Sequence, residues 1–365
     1  MRLHWLISAL LFLGAALWST QASATLLYAG GEDIDFTCAA GSACGSNTSA
    51  GVFRANWARL GYGVVATNDD PPARITTPVF AANSTLWIHG QLCTTFNGCS
   101  NQTSSNTQAL RVIDNLGNAT LVIRGTGTNG QVKISSRTSA GAYTDLVTCS
   151  SAINNALGQL DFYVNYATSG EIALYNNGVQ VCDFTGDVTN GDGATTLDQV
   201  DLGGPWAIGV GTFWSEVIVA TTDTRSMSRY SAVPAGDGNT TGFSGTNVCS
   251  GIWSATGYND ANFGYSGSNN VTHECTVSVT IPAGAYSVLG LVMNARALVG
   301  GTGPQHFDFV TRTGGADYPS SDYAPLPSFS NIGNYIQTTN PATSAAWAFS
   351  DFTAPGFNVG EETKP

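Results

Sequence analysis

Between residues 159 and 206 the chain alternates with the period of a strand and then doubles back twice. Leu160, Phe162, Val164 and Tyr166 alternate with Asp161, Tyr163 and Asn165, which puts the two sets on opposite faces of a pleated strand. After Ala167-Thr168-Ser169-Gly170, a second run over 171–176 leads into Asn177-Gly178. Both of those residues tolerate the positive φ that a two-residue type I′ turn requires, so a third strand must fold back beside the second. A three-stranded meander with one apolar face has to bury that face on another sheet. The stretch therefore predicts a β-sandwich around itself.

The flanking sequence extends the pattern. Short apolar runs at 25–36, 79–92, 110–114, 119–124, 131–136 and 143–149 are separated by glycine-containing turns, the spacing of a sandwich or barrel. No long amphipathic helix is expected between 25 and 221. Residues 224–247, rich in Gly, Asp, Asn and Ser, read as a linker. The strand pattern resumes at 249–253, 273–281, 288–298, 306–312 and 332–338, with a short helical turn near 350 and a last strand at 357–360. The expected fold is all-β: a jelly-roll sandwich over 25–223, the linker 224–247, and a second, smaller β-sandwich over 248–365.

The first 24 residues have the form of a secretory signal peptide. Arg2 supplies the positive end, 3–17 the apolar core and Ala22-Ser23-Ala24 the small-residue cleavage site. The apolar core is short for a membrane span, and no later run is long enough for one. Cleavage would leave Thr25 first and 12 of the 13 basic residues against all 25 acidic ones, a net charge of −13. That balance argues against nucleic acid or an anionic membrane as partner. Only 10% of residues are charged, with 43 glycines, which suits an extracellular β protein better than a disordered one.

All eight cysteines follow the cleavage site. An even number in an exported chain implies disulfides, and neighbours in the sequence are expected to pair: Cys38–Cys44, Cys93–Cys99, Cys149–Cys182 and Cys249–Cys275. The alternative is a metal site, but there is no Cys-x-x-Cys and no His at zinc-finger spacing from a Cys.

The hairpin over 171–184, with Tyr175-Asn-Asn-Gly178-Val at its tip, continues through Leu197-Asp-Gln-Val-Asp-Leu-Gly-Gly204 to Trp214-Ser-Glu-Val-Ile-Val-Ala-Thr221. These residues resemble the concanavalin-like lectin and glucanase jelly roll, shared with laminin-G-type modules. With the later runs 288–297, Arg312-Thr-Gly-Gly-Ala-Asp-Tyr318 and 335–347, the order of parts is similar to phage virion and tail-associated proteins. The resemblance spans roughly residues 155–355. It implies a jelly roll followed by a β domain. The fold itself hosts lectins, hydrolases and inert spacers, so function rests on the site.

Glycoside hydrolysis needs two carboxylates flanking one bond, and hydrolases of this fold usually carry Glu-x-Asp-x-x-Glu on one strand. The six glutamates, 32, 171, 216, 274, 361 and 362, never form it. No Gly-x-Ser-x-Gly and no phosphate-binding glycine loop occurs, and His89, His273 and His306 are scattered. Catalysis is not expected.

Asp187-Val-Thr-Asn-Gly-Asp-Gly193 approaches a calcium loop but places Gly191 where a ligand belongs. A polar hairpin loop is the better reading. No cofactor is expected, and a structural calcium ion here would need a different geometry. Trp87, Trp206, Trp214, Trp253 and Trp347 could stack on sugar rings, against the alternative that each packs the core. Six Asn residues, 47, 83, 101, 118, 239 and 270, begin glycosylation sequons, which matter only in a eukaryotic secretory pathway.

Loops on a rigid sandwich carry function more often than its sheets. The ligand-contact candidates are accordingly Asp187, Asp192, Trp206 and Trp214, in the loops that flank the meander. The reading is a secreted or surface, non-catalytic structural or adhesion protein of the phage virion type, with other virion or surface proteins as partners. The alternative is a secreted module that binds cell-surface or extracellular glycan. A glycoside hydrolase is the third.

Overall fold

A computed structural model describes residues 25–31, 35–38, 64–66, 74–93, 108–128, 130–150, 158–203, 212–230, 232–245, 248–250, 263–279 and 287–365. The signal segment, Trp206, Trp253 and the pairings Cys38–Cys44 and Cys93–Cys99 lie outside the described residues. Strands are numbered in chain order, and every strand pairing is antiparallel.

The expected meander is the edge of one large sheet. Its order is β1 (Leu26–Gly30), β14 (Thr212–Ala220), β5 (Thr85–Cys93), β10 (Gly158–Asn165), β11 (Gly170–Asn176) and β12 (Val179–Gly186), with β3 (Val64–Ala66) also on β14. Asn177 and Gly178 take φ of 50° and 77°, and Asn176 stands opposite Val179, so the tight turn forms where the sequence put it. At the other turn, a Cβ on Gly170 would meet the Asn165 carbonyl oxygen at 2.2 Å; only glycine lets the chain reverse there.

The facing sheet runs β2 (Thr37–Cys38), β4 (Arg74–Thr76), β13 (Leu197–Gly203), β6 (Gln108–Asp114), β7 (Ala119–Gly125), β8 (Val132–Arg137) and β9 (Tyr143–Cys149). Leu86, Ile88, Phe162, Val164, Ile172 and Leu174 from the meander sheet meet Leu110, Val112, Leu121, Ile123, Ile134 and Val200 from the facing sheet in one core. The Cys149–Cys182 bridge joins β9 to β12, an edge strand of each sheet. It closes the sandwich along that side.

The C-terminal region is also β. β15 (Ala232–Thr241), β16 (Thr272–Val279), β21 (Asn358–Lys364), β18 (His306–Thr313) and β19 (Ala316–Pro319) form a five-stranded sheet. β17 (Leu291–Ala297) and β20 (Ser330–Gln337) form a pair. Met293, Ala295, Phe307 and Phe309 make the small core between them, with Tyr335 and Val359 packed on it. A short helix, α1 (Phe349–Phe352), precedes β21. The Cys249–Cys275 bridge is present.

The segment 224–247, read as a linker, contains β15. Its glycines are there for close approach rather than for a turn: a Cβ on Gly238 would sit 2.9 Å from the Glu274 backbone. The strand is also broken by irregular register between Asp237 and Thr241, which hides its periodicity. The two β regions are clamped by side-chain amides. Asn334 Nδ2 donates to the Leu27 carbonyl at 2.8 Å, and Asn331 Nδ2 to that of Phe36 at 2.6 Å. The Asn294 amide donates to Asp35 at 2.7 Å, a buried carboxylate that also takes Arg229 at 2.9 Å. Polar groups along β1, an edge strand, are thus capped rather than left for another chain.

Candidate functional site

Of the sequence-expected ligand contacts, Trp206 lies outside the described residues, and Trp214, Asp187 and Asp192 are each held by the scaffold. Trp214 is 1% exposed and belongs to the core. The register of β14 slips between Ser215 and Ile218, where Glu216 takes φ of 53°. That bulge turns Trp214, Val217 and Val219 all inward, so the indole has no face to offer a ligand. Glu216 itself is buried within the bulge.

Asp192 is committed to the scaffold: it bonds to Arg137 and accepts from Thr120 Oγ1 at 2.8 Å. Asp187 Oδ1 accepts from the Thr189 and Asn190 amides, each at 3.0 Å, and from Thr189 Oγ1 at 2.7 Å. This is an Asx-type turn. The 187–193 loop holds its own shape with these bonds, which is the polar-hairpin arrangement.

The chemistry lies on the outer faces of the two sheets. On the facing sheet, Leu110, Val112, Leu121, Ile123, Val132 and Ile134 point into the core. The alternation then forces Arg111, Arg124, Lys133 and Arg137 outward. Arg74 of β4 joins them, since Ile75 beside it points inward. Cross-strand register sets the rows. Arg111 stands between Asp201 and Val122, and Ser135 between Val122 and Asp145. Arg124 is opposite Lys133, and Arg137 opposite Tyr143.

Among the described residues, these cations meet three carboxylates, those of Asp145, Asp192 and Asp201. Arg111 Nε bonds to Asp201 at 3.0 Å. Arg124 and Lys133 share Asp145 with Ser135, Lys133 at 3.1 Å and Ser135 at 2.7 Å. Arg137 takes Asp192. Burial pushes the Asp145 carboxyl up, but the bonds from Ser135, Arg124 and Lys133 bring it down to about 2.

Burial, and then the like charge of Arg111, hold the Arg74 guanidinium below its ordinary value. Tyr143 lies across this face and donates to the Ala119 carbonyl at 2.7 Å. Burial raises its phenol, while Arg111, Arg137, Arg124 and Arg74 all pull the other way. One tyrosine thus sits within the field of four guanidinium groups.

The outer face of the meander sheet is different. Trp87 lies 5.0 Å from Tyr163 and 5.6 Å from Tyr175, centroid to centroid. Arg225 lies over both Tyr175, at 4.5 Å, and Trp87, at 5.4 Å, and pairs with Asp223. Beside them His89 Nδ1 meets Asp161 Oδ1 at 2.8 Å, and Thr224 Oγ1 donates to the same oxygen at 2.8 Å. Gln159 Nε2 donates to the other oxygen, Oδ2, at 2.8 Å. Both His89 and Asp161 side chains are fully buried. The strap over 221–230 covers this cluster and the aromatic group together.

Sequence reasoning missed the basic face because it weighed charge over the whole chain. The signal was present locally: from Arg74 to Tyr143 the chain holds five basic residues and one acidic one, Asp114.

No family model matches the chain, and no curated protein sequence matches it. Solved structures that resemble it include the globular domain of T. cruzi calreticulin, at 12% identity and a TM-score of 0.37, covering 55% of this chain and 89% of that one. Another is the endo-β-1,4-glucuronan lyase of the fungus Trichoderma reesei, at 12% identity and 0.36, covering 53% and 90%. A third is the receptor-binding domain of botulinum neurotoxin type G, at 10% identity and 0.30; the chain spans 42% of that domain's length, over 54% of its own. The phage resemblance read from the C-terminal residues has no counterpart among these three. Among the described residues, no helix is long and apolar enough to cross a membrane.

Proposed function

We propose that the protein is an exported, non-catalytic glycan-binding module, and that it holds an acidic glycan across the outer face of the facing sheet. The observation that carries this reading is the crowding of like charge there. Arg74 and Arg111 lie close enough for one to depress the other, and Arg124, Lys133 and Arg137 stand on the same face. Such a cluster costs free energy when empty and is relieved by an anion. Guanidinium forks match carboxylates in two-point bonds, and Tyr143 supplies an aromatic surface among them.

The chain's net charge repels a dense polyanion at long range, but screening confines that field to roughly 8 Å at physiological salt. A sparsely charged uronate chain is therefore favoured over nucleic acid. Tyr143 does not look like a proton shuttle: its hydroxyl is held by Ala119 and its pKa is raised, which fits binding rather than β-elimination. The disulfides and the leader-like first 24 residues support export. A virion role has no support beyond the resemblance itself.

Calorimetric titration of the mature chain with uronate oligosaccharides and with neutral β-glucan oligosaccharides tests the reading. Binding of the uronate alone, weakening as salt rises, is expected. Preference for the neutral glycan, or release of unsaturated sugar ends, would overturn it.

A further inference from the structure

We infer that the Cys249–Cys275 bridge is a site of thiol–disulfide exchange with small-molecule thiols, with Cys275 the sulfur attacked and Cys249 the sulfur that leaves. This stands apart from the glycan site, in the other β region. β16 places His273 and Cys275 two residues apart on one face, opposite Glu361 and Val359 of β21. The imidazole Nε2 lies 3.3 Å from Cys249 Sγ, and the Phe243 amide donates to Nδ1, also at 3.3 Å. A neutral ring carries one proton. Since Nδ1 accepts, the proton is on Nε2 and points at Cys249. Burial lowers the His273 pKa, with the Asp237 carboxylate pulling the other way, which keeps the ring in this neutral form.

That arrangement gives the bridge a direction. A thiolate formed on Cys249 would receive the Nε2–H bond at once, against the Glu274 carbonyl oxygen 3.4 Å from the same sulfur, while among the described residues no such donor meets Cys275 Sγ. A cleft of about 360 Å³, lined by Asp237, Phe243, Val248, Ser250 and His273, opens beside the bridge, with His273 and the chain neighbours of Cys249 in its wall. Cys275 keeps 7% exposure and Cys249 none, so the less buried of the two residues is also the one whose attack expels the stabilised thiolate. In the step, an incoming thiolate RS⁻ bonds to Cys275 Sγ, the S–S bond breaks, and its electron pair passes to Cys249. A second RS⁻ can then attack the mixed disulfide, giving RSSR and the Cys275 thiolate; the protons released by the two RSH end on the two cysteines.

Cys249, His273 and Cys275 have ligand atoms within 4.8 Å of one another, which raises a metal site as the rival reading. The tautomer opposes it. A metal at Nε2 needs that nitrogen bare and the proton on Nδ1, where Phe243 already donates. The other described bridge is the internal control: Cys149 packs in the apolar core, and among the described residues no donor meets its sulfur.

The test incubates the mature protein at neutral pH with graded glutathione, quenches with acid, alkylates free thiols, and maps the peptides. The expected product carries glutathione on Cys275 and the alkyl group on Cys249, forming about tenfold faster or more than adducts at Cys149 and Cys182. His273→Leu should slow it about tenfold, the effect of roughly 1.4 kcal/mol at one hydrogen bond. His273→Gln, which keeps an N–H donor, should restore most of the rate. Circular dichroism shows whether each variant folds, and the adduct's position is read on the wild type, so neither depends on the other. Glutathione mainly on Cys249, equal rates at the two bridges, or an unchanged rate in folded His273→Leu would each overturn the inference.

Discussion

The two outer faces of the sandwich are made from the same pleated alternation and end up as opposites. On the meander sheet, outward residues are Trp87, His89, Asp161, Tyr163 and Tyr175, and the strap over 221–230 covers them. Its carboxylate is consumed internally: the two Asp161 oxygens take bonds from His89, Thr224 and Gln159, while the buried His89 Nε2 meets no partner among the described residues. On the facing sheet, outward residues are Arg74, Arg111, Arg124, Lys133 and Arg137, with Asp145, Asp192 and Asp201 among them. The contrast teaches that aromatic content is a poor guide to this chain's binding surface. The rings are packed under Arg225, while on the other face like charges crowd one another.

Replacing Asp161 with Ala is expected to have the largest effect. It removes one partner of a fully buried pair and orphans His89 Nδ1 and Thr224 Oγ1, leaving Gln159 only its bond to the Arg225 carbonyl. Breaking such a pair costs about 3–5 kcal/mol, read as a lowered midpoint in urea denaturation. The comparison sharpens if the folded fraction still binds uronate with unchanged affinity. It breaks if affinity falls in step with stability, because the covered face would then be part of the ligand site.

On the basic face, the double change Arg124→Met, Lys133→Met should cost about 1 kcal/mol, the upper end for an exposed pair, since Asp145 is 43% exposed but Arg124 and Lys133 only 14% and 20%. Affinity for uronate oligosaccharides should fall by about thirtyfold or more, from two lost charge-assisted bonds at roughly 1.5–3 kcal/mol each before compensation. A variant that binds as the wild type does would remove this face from consideration. Trp87→Ala is the reciprocal change. It should destabilise by about 1–3 kcal/mol as a half-buried aromatic, less than the full core value, and leave the titration curve where it was.

Much of the fold was legible because it rests on local signals. Asn177-Gly178 set the hairpin, alternation set the faces of β10 and β11, and the spacing of Cys149, Cys182, Cys249 and Cys275 matched two bridges that form. The site was less legible, and for a physical reason. Trp214 looks like a loop-flanking indole until the bulge at Glu216 turns it inward, and a bulge is a register property that alternation alone does not reveal. Asp192 looks like a free loop carboxylate until the fold brings Arg137 to it from 55 residues away. β15 was hidden because its glycines serve packing against Glu274. The basic face could have been seen, had charge been counted over 74–143 instead of over the whole chain.

The smallest expected effect separates the sandwich from the C-terminal region by pH. Burial pushes the Glu361 carboxyl up to about 7, against an ordinary 4.5. Burial raises Glu274 and Asp308 as well, helped by the neighbouring carboxylates of Asp317 and Asp322. A carboxyl raised on folding binds its proton more tightly in the native state, so the unfolded chain releases that proton first. Stability is then fully present below about 4.5 and declines as pH rises toward 7. Asp145 has the opposite sign. Its contribution is present above the ordinary 3.8 and is lost as pH falls toward 2. Hydrogen exchange, read separately on β21 and on β8, can see both. Amides of β21 should become less protected between pH 4.5 and 7 after correction for the intrinsic exchange rate, and Glu361→Gln should flatten that slope. Amides of β8 should show no such decline over the same interval. A common pH slope in both strands would mean that the two regions unfold as one unit, with the amide clamp at Asn331 and Asn334 strong enough to couple them.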